Sequence, residues 1–367
     1  MSHDTRFNKL GSEIFFENLA RQLSLIDGCE VHIFRGFSEC NSTETDGSLI
    51  FHNFKMINIP FIRTYYFLIK AIKRIKKLEL QGTFEWKILI GGGVGFVARK
   101  IKRGNIAFYP SDFARVEYIY TKGSRHSFMK YFFFKMVELG EKVAINRSNL
   151  VILTTSHQLS EFSRIWPTKS KLGILLPLGI TSEWFNTNLN RVDCEGNSSF
   201  IFVGAGERRL LPLFINSLQE LRKKGYHVTG IIVREPEDKV MQLVGTNQAN
   251  IKVYNNVSTE TMMELYRQSI ALVVPSMREG FCLPIVEAGS QWVPTIASDL
   301  PQFHDIIENN KSGILIQGYQ LEQWTASMEK LIVDKKLLQD LRQGARKKAE
   351  AFNLYNISER LYEELRK

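Results

Sequence analysis

Short apolar runs alternate with helical segments along the chain from Val31 onward, and this alternation constrains the fold more than any other feature. It is typical of α/β domains in which helices cover both faces of a parallel sheet. In the first half, the apolar runs are residues 31–34, 49–54, 87–90, 105–109, 150–153 and 173–176. In the second half, they are residues 200–204, 228–233, 251–254, 271–274, 295–297 and 313–316. The pattern predicts two Rossmann-like domains.

Length and composition agree with two domains. A chain of 367 residues that is 44% hydrophobic can bury two cores of ordinary size. Residues 181–199 are polar and rich in Asn and Ser, so we place the linker there. The predicted domains are therefore residues 1–180 and 200–352, and residues 353–367 form a final helix.

Several classes of protein are disfavoured by what the chain lacks. There is no uninterrupted run of about 18 apolar residues and no secretory segment at the polar N-terminus, so we expect a cytoplasmic protein. The four cysteines are far apart and form no CxxC pair, which predicts neither a metal site nor a disulfide framework.

The positive charge is concentrated in the first half. Residues 1–180 carry 26 Lys and Arg against 15 Asp and Glu, whereas residues 181–367 carry 22 against 23. Two segments, residues 63–77 and 122–135, combine lysines and arginines with aromatic side chains. Basic amphipathic helices of this kind can lie on anionic membrane surfaces, but they can equally be covering helices that pack on a sheet. No nucleic-acid-binding motif accompanies the charge, so we do not expect a nucleic-acid partner.

Residues 278–288, with the sequence REGFCLPIVEA, place two carboxylates eight positions apart around a turn that starts a helix. The buried run 271–274 precedes them, and Pro284 suits the first turn of a helix. The N–H groups of Phe281, Cys282 and Leu283 would point out of that helix N-terminus, where they favour a phosphate or a sugar oxygen. Glu279 could then meet a sugar, while Glu287 accepts two vicinal hydroxyls such as those of a ribose.

Paired acids at one spacing are common by chance, so a loop carboxylate and a solvated helix carboxylate are the plain alternative. The order of the segments argues against it, because a buried strand, the Glu-Gly-Phe turn, the Leu-Pro helix start and the strand 294–297 follow one another. This segment resembles the donor-site signature of retaining glycosyltransferases of family four. Cys282 stands where that family often has glycine.

The resemblance implies a GT-B fold, in which two Rossmann-like domains face each other across a cleft and the last helix, here 353–367, crosses back to the first domain. It implies transfer with retention from a nucleoside-diphosphate sugar, without a bound metal or resident cofactor. Arg208 and Arg209 fall where the family binds the donor diphosphate, and with Glu279 they are the expected catalytic residues. The expected donor-binding residues are Gly11, Gly206, Val257, Gly280, Phe281, Cys282, Leu283 and Glu287.

Besides Cys282, three features depart from the family pattern. Residues 11–20 resemble its glycine-bearing loop and first helix, yet only residues 1–8 precede them, so the first strand of the sheet is expected to be missing or truncated. Ser111 stands where the family often offers a histidine, which leaves Asp112 and Arg115 as the acceptor-side candidates. Arg234 stands where glycine is common, and it either lines or blocks the nucleotide pocket.

The sequence therefore predicts a hexosyltransferase that acts on a glycan or a lipid-linked acceptor in cell-surface polysaccharide biosynthesis, cytoplasmic or peripheral at the inner membrane face. One alternative is a GT-B-shaped binding or scaffolding subunit that has lost turnover. Another is a nicotinamide-dependent enzyme. It rests on the alternation alone, since the G-x-G-x-x-G spacing is absent from the glycine run at residues 91–95.

Overall fold

A computed structural model describes residues 11–38, 41–55, 62–82, 84–91, 95–100, 104–110, 127–186, 198–244 and 250–367. These residues divide into two compact units. The N-terminal unit is built mainly from Phe16–Pro177 and includes Ser358–Lys367. The C-terminal unit is built mainly from Leu178–Ile357.

The N-terminal unit contains two sheets. Strands β1 (Val31–Ser38), β2 (Ser42–Asp46) and β3 (Leu49–Lys55) form the first in the order β1-β3-β2. Strands β4 (Trp86–Ile90), β5 (Asn105–Tyr109), β6 (Leu150–Leu153) and β7 (Gly173–Leu175) form the second in sequence order, with every pair parallel. Helices Gly11–Ser24, Ile62–Leu78, Gly95–Lys100, Ser127–Arg147 and Ser156–Ile165 accompany them, with a 3-10 turn at Pro167–Leu172.

The sequence did not predict β2, because this strand has no apolar run. Its residues, STETD, are almost wholly exposed, and it pairs antiparallel with β3 at the edge of the sheet. Asp46 pairs with Leu49 across a two-residue turn in which Gly47 has φ 60°. A glycine at the first central position is typical of such hairpin turns, so the Gly47-Ser48 dipeptide was the available signal.

The C-terminal unit is a doubly wound sheet of six parallel strands. They are β8 (Ser198–Val203), β9 (Val228–Val233), β10 (Asn250–Tyr254), β11 (Ala271–Val274), β12 (Thr295–Ser298) and β13 (Gly313–Ile316), in the order β10-β9-β8-β11-β12-β13. The chain winds outward from β8 to β10 and then in the opposite direction from β11 to β13. In sheets of this kind, ligands bind outside the carboxyl ends of the strands where the winding reverses, here at β8 and β11.

Helices cover this sheet around an apolar core that includes Phe202, Phe214, Val273 and Trp324. The helices are Leu211–Lys223, Glu237–Val244, Thr259–Arg267, Leu283–Ser290, Leu321–Val333 and Lys335–Glu350. Short 3-10 turns lie at Ser182–Phe185, Glu207–Arg209 and Pro301–Phe303.

The last helix spans Leu354–Arg366, and from Ser358 onward it belongs to the N-terminal unit. There the indole N–H of Trp86 donates to the carbonyl of Leu365. The described part of the predicted linker is not a free tether, because the carbonyl of Trp184 accepts a bond from Gln291 and that of Phe185 accepts one from Arg346. Residues 187–197 of that linker lie outside the described residues.

All twelve predicted strands are present, and five have the predicted bounds. The basic segment 63–77 lies in the helix Ile62–Leu78, which buries Leu68 and Ala71 and exposes Ile69, Lys73 and Lys76. It therefore packs as a covering helix with a basic outer side. The expectation of a missing first strand falls on residues 1–10, outside the described part of the chain, as do residues 122–126 of the second basic segment.

Within the described ranges, no helix is both long and apolar enough to cross a membrane. No group of three or more His, Cys, Asp or Glu side chains in those ranges is placed to hold a metal ion.

Candidate active site

Two loops meet at the carboxyl ends of β8 and β11, where the winding of the sheet reverses. The loop after β8 turns at Gly204 and Gly206, whose φ angles of 133° and 101° suit glycine, and it ends in the 3-10 turn Glu207–Arg209. The N–H of Met277, in the loop after β11, donates to the carbonyl of Arg208 at 2.8 Å. This bond brings the predicted diphosphate residues to the predicted sugar carboxylate.

Glu279 is the central carboxylate of this site, and it is only 5% exposed. Its Oε1 lies 2.9 Å from Arg209 Nε and accepts a bond from the Ser276 hydroxyl at 3.0 Å. Its Oε2 lies 3.6 Å from Arg208 Nη2. The side chain of Gln302 donates to its backbone carbonyl.

The two arginines differ in their surroundings. The side chain of Arg209 is 12% exposed, donates to the carbonyl of Val203 and lies against Gly204, where a Cβ atom would come within 1.9 Å of its Nη1. Burial lowers the pKa of Arg209, but the nearby Glu279 carboxylate, together with Cys282 and Tyr266, outweighs this effect and the pKa is raised overall. The side chain of Arg208 is 47% exposed, so its guanidinium can reach a ligand.

The turn that leads into the helix Leu283–Ser290 presents backbone donors. Cys282 has φ 72°, a left-handed conformation that glycine adopts without strain, which explains why the resembling family often has glycine there. Its thiol is buried, and burial raises its pKa. Among the described residues, none accepts a hydrogen bond from the N–H groups of Phe281, Cys282 or Leu283. Together with Gly280 they form a cradle of N–H groups at a helix start, suited to an oxygen-rich ligand.

Glu287 lies one turn into this helix. The buried hydroxyl of Tyr266 donates to its Oε2 at 2.9 Å. Burial raises the pKa of Glu287, while the positive charges of Arg234 and Arg209 and the bond from Tyr266 oppose that rise. The carboxylate can therefore accept bonds from hydroxyl groups when it is ionised.

A second buried carboxylate, Glu235, is the second residue after β9 and is 1% exposed. Its Oε1 accepts the N–H of Gly206 at 3.0 Å, and its Oε2 accepts a bond from Lys239 Nζ at 3.0 Å. Its backbone carbonyl accepts a bond from the side chain of Asn255 at 3.1 Å. Glu235 thus ties together the loops that follow β8, β9 and β10.

Sequence reasoning missed Tyr266, Ser276, Gln302 and Glu235, all of which are buried polar groups. The signal for Glu235 was its position at the end of a buried strand, but its partners lie in other loops. Tyr266 lies on a helix 21 positions before Glu287, and nothing in the spacing indicates their contact.

The structure places the remaining predicted residues separately. Val257 is half-buried between β10 and the helix Thr259–Arg267, beside Asn256, which has φ 54°. Gly11 is the first residue of the helix Gly11–Ser24. Asp112, Arg115 and Ser111 lie outside the described residues.

The doubly wound sheet and its switch-point cluster define a class of α/β protein with a Rossmann-like C-terminal unit. Residues 195–348, which lie mainly in the C-terminal unit, match the family model described as Glycosyl transferases group 1. The resemblance to glycosyltransferases that was seen in the sequence is thereby confirmed. Family four is consistent with this match.

Solved structures show the same fold. The chain superimposes on sucrose-phosphate synthase from Thermosynechococcus elongatus with a TM-score of 0.80, at 16% identity, covering 97% of this chain and 93% of that one. This similarity confirms the predicted GT-B class.

Curated relatives match over shorter stretches. A D-inositol 3-phosphate glycosyltransferase of Rhodococcus erythropolis is 32% identical over 108 residues, which are 29% of this chain and 24% of the relative. The capsular polysaccharide biosynthesis glycosyltransferase CapM of Staphylococcus aureus is 24% identical over 249 residues, which are 63% of this chain and 65% of the relative. The matched segments thus span less than two thirds of these relatives.

Proposed function

We propose that the protein transfers a hexose-type sugar from a nucleoside-diphosphate sugar to a glycan or a lipid-linked acceptor, with retention at the anomeric carbon. The observation that supports this proposal is the cluster of Glu279, Arg208 and the free N–H groups of residues 281–283 at the switch point of the sheet. A transferase of this kind needs donors and a cation where the diphosphate leaves and a carboxylate where the sugar is held.

Each group has a proposed role in the transfer. The bond from the sugar to the diphosphate breaks while the acceptor oxygen bonds to the same face of the anomeric carbon. Arg208 and Arg209 bind the diphosphate and stabilise its growing negative charge. Glu287 accepts the ribose hydroxyls, and Glu279 with the 281–283 amides orients the sugar. The leaving phosphate takes the acceptor proton, so no separate side-chain base is needed.

The donor is a substrate in this proposal, and we propose no resident cofactor or metal. The test is a thermal-shift screen of UDP, GDP, ADP and their common sugar conjugates on the wild type and on Glu287→Ala, with hydrolysis of the best donor followed in parallel. We expect one nucleotide family to raise the unfolding temperature of the wild type but not of the variant. A lack of any shift with the wild type would contradict the donor site.

We further propose a role in cell-surface polysaccharide biosynthesis at the inner face of the membrane. The similarity to the capsular polysaccharide biosynthesis glycosyltransferase CapM of Staphylococcus aureus supports the substrate class. The excess of positive charge in residues 1–180 and the exposed Lys73 and Lys76 support attraction to anionic lipid. Flotation with vesicles should therefore depend on their content of anionic lipid and weaken at high salt. Flotation that is independent of anionic lipid would contradict this location.

One observation favours a second candidate, a GT-B-shaped binding or scaffolding subunit. Arg209 and Glu279, the expected diphosphate and sugar groups, are already paired with each other at 2.9 Å. A subunit in which Arg209 and Glu279 remain paired with each other would bind a nucleotide or a partner without transferring a sugar. Binding of a sugar nucleotide with no hydrolysis, and with no product from any acceptor extract, would favour this candidate.

A further inference from the structure

Arg234 is a charged, exposed residue held in a backbone conformation that suits glycine. It follows β9 directly, and its N–H donates to the carbonyl of Tyr254 at the end of β10 at 3.0 Å. The side chain therefore begins at the carboxyl edge of the sheet, one strand from the loop that carries Arg208 and Arg209. The next residue, Glu235, binds the N–H of Gly206 in that loop and so connects the two positions.

The backbone of Arg234 has φ 74°, a region where an L side chain is strained and glycine is not. Strain of this kind persists where a functional requirement or the surrounding structure maintains it. The side chain of Arg234 is exposed and is not part of the buried core. Within the described ranges, no residue forms an ion pair or a side-chain hydrogen bond with its guanidinium.

The charge of Arg234 influences the pKa values of titratable groups on neighbouring elements. These are Glu287 on the helix Leu283–Ser290 and Tyr266 on the helix Thr259–Arg267, and Arg209 acts on Glu287 from the loop after β8. Burial raises the pKa of Glu287, and Arg234 is the strongest influence opposing that rise. The charge of Arg234 thus favours the ionised form of the carboxylate for which we propose a ribose contact, and its guanidinium has no ion-pair partner within the described residues.

We propose that Arg234 is a third donor-binding arginine, whose guanidinium contacts the nucleoside diphosphate of the donor directly. This inference rests on the proposed function. A guanidinium offers several N–H groups in a planar fork that matches phosphate oxygens, whereas a glycine at this position would offer none. The backbone strain would then be retained for the sake of ligand binding.

The test separates binding from stability, because the two should change in opposite directions. Arg234→Gly relieves the left-handed backbone, so we expect the unfolding temperature of the free protein to rise by about 2 °C or more. The same variant should bind the preferred one of UDP, GDP and ADP about tenfold more weakly by titration calorimetry. Arg234→Lys keeps the charge without the planar fork, so its nucleotide affinity should lie between those of the wild type and Arg234→Gly.

Two controls make the result specific. Asn310→Gly changes another left-handed residue, with φ 60° in the turn before β13, and should leave nucleotide affinity unchanged. Repeating the titrations at pH 8.5, where Glu287 is more fully ionised, tests whether the loss acts through that carboxylate. A loss that persists there supports direct contact.

If no nucleoside diphosphate binds the wild type, the proposed function is wrong. If the wild type binds one and Arg234→Gly binds it equally well or more tightly, only the role of Arg234 is wrong. A loss that disappears at pH 8.5 would also overturn direct contact and leave Arg234 as a positioning residue for Glu287.

Discussion

The buried Arg209 depends on Glu279 as its counter-charge, since burial alone disfavours the charged guanidinium. Glu279→Gln keeps the shape of the side chain but removes that charge. We expect the free energy of unfolding to fall by about 3–5 kcal/mol, the usual cost of leaving one partner of a buried pair unpaired. Urea unfolding of the wild type and the variant measures this loss of free energy. Glu308→Gln, which changes an exposed carboxylate paired with Lys311, should stay within about 0.5 kcal/mol of the wild type. Equal losses for the two variants would contradict the buried pair.

Glu287 should make donor binding dependent on pH. Its pKa is raised by burial, so its ionised form is lost as the pH falls through a value above the ordinary 4.5. Donor KM should therefore rise on the acid side, and Tyr266→Phe, which removes a bond that favours ionisation, should move this rise to higher pH. KM measured from pH 5 to 9 tests the shift. An unmoved profile with a uniformly higher KM would mean that Tyr266 acts only through packing.

His52 should make the N-terminal unit less stable in mild acid. Burial lowers its pKa to about 4, helped by the charge of Arg74 and by His32. Arg74 Nε donates to His52 Nδ1 at 3.2 Å, His52 Nε2 lies 2.9 Å from His32 Nδ1, and His32 Nε2 lies 2.7 Å from Glu30. This chain of bonds suits two neutral rings.

Because the unfolded chain has the ordinary histidine pKa of about 6.5, it binds more protons than the folded chain between pH 6.5 and 4. Stability should therefore fall as the pH drops through this range, by about 1–3 kcal/mol for this group. Unfolding free energies from pH 7.5 to 4.5 measure the effect. His52→Gln should flatten the dependence, whereas the exposed His157→Gln should not. An equal slope in all three proteins would rule out His52 as its source.

Backbone conformation at single residues was partly readable from the sequence. The resemblance marked Cys282 and Arg234 as positions where glycine is common, and both have positive φ angles. The pairing of Arg209 with Glu279 could not be read in the same way, because it joins loops 70 positions apart. It depends on the close packing of Arg209 against Gly204, which only the folded loop shows.

Among the elements, the helix that carries Glu287 packs closely on the helix Lys335–Glu350 through Gly289. A Cβ atom at Gly289 would lie 2.8 Å from the carbonyl oxygen of Ala345 and 3.1 Å from Ala349 Cβ. Gly289→Ala should therefore push the two helices apart and lower the unfolding free energy by about 1–3 kcal/mol. Chemical unfolding measures this loss, and nucleotide affinity should fall as Glu287 shifts. Gly82→Ala, where a Cβ would meet nothing within 4 Å, is the matched control and should be nearly neutral. Equal stabilities would mean that the helices adjust without cost.

Elements were predicted well where burial leaves an apolar run. The strands of the C-terminal unit are buried on both faces, so ALVV of β11 and VTGIIV of β9 stand out in the sequence. The polar edge strand β2 leaves no such run. Its position is determined by pairing with β3 and by the turn at Gly47, which apolar periodicity does not report.

At the scale of the whole molecule, the end of the chain is part of the N-terminal unit. Residues Ser358–Lys367 belong to that unit, although more than 170 residues separate them from Pro177. The final helix was predicted from the sequence, and its return to the first domain was expected from the family resemblance. The bounds of the predicted domains themselves stay a prediction.

If the last helix completes the N-terminal unit, its buried face should stabilise that unit. Leu361 lies on this face and is fully buried, so Leu361→Ala should lower the free energy of unfolding by about 2–5 kcal/mol. The indole of Trp86 bonds to the same helix at Leu365, so its own 19F resonance, among the five of protein labelled with 5-fluorotryptophan, is a local probe. We expect its signal to change at a lower urea concentration in Leu361→Ala than in the wild type. Glu363→Ala, an exposed change on the same helix, should leave the transition in place. If the urea midpoint of the Trp86 transition were equal in all three proteins, removal of the buried Leu361 side chain would not have destabilised the surroundings of Trp86. The N-terminal unit would then not depend on the last helix.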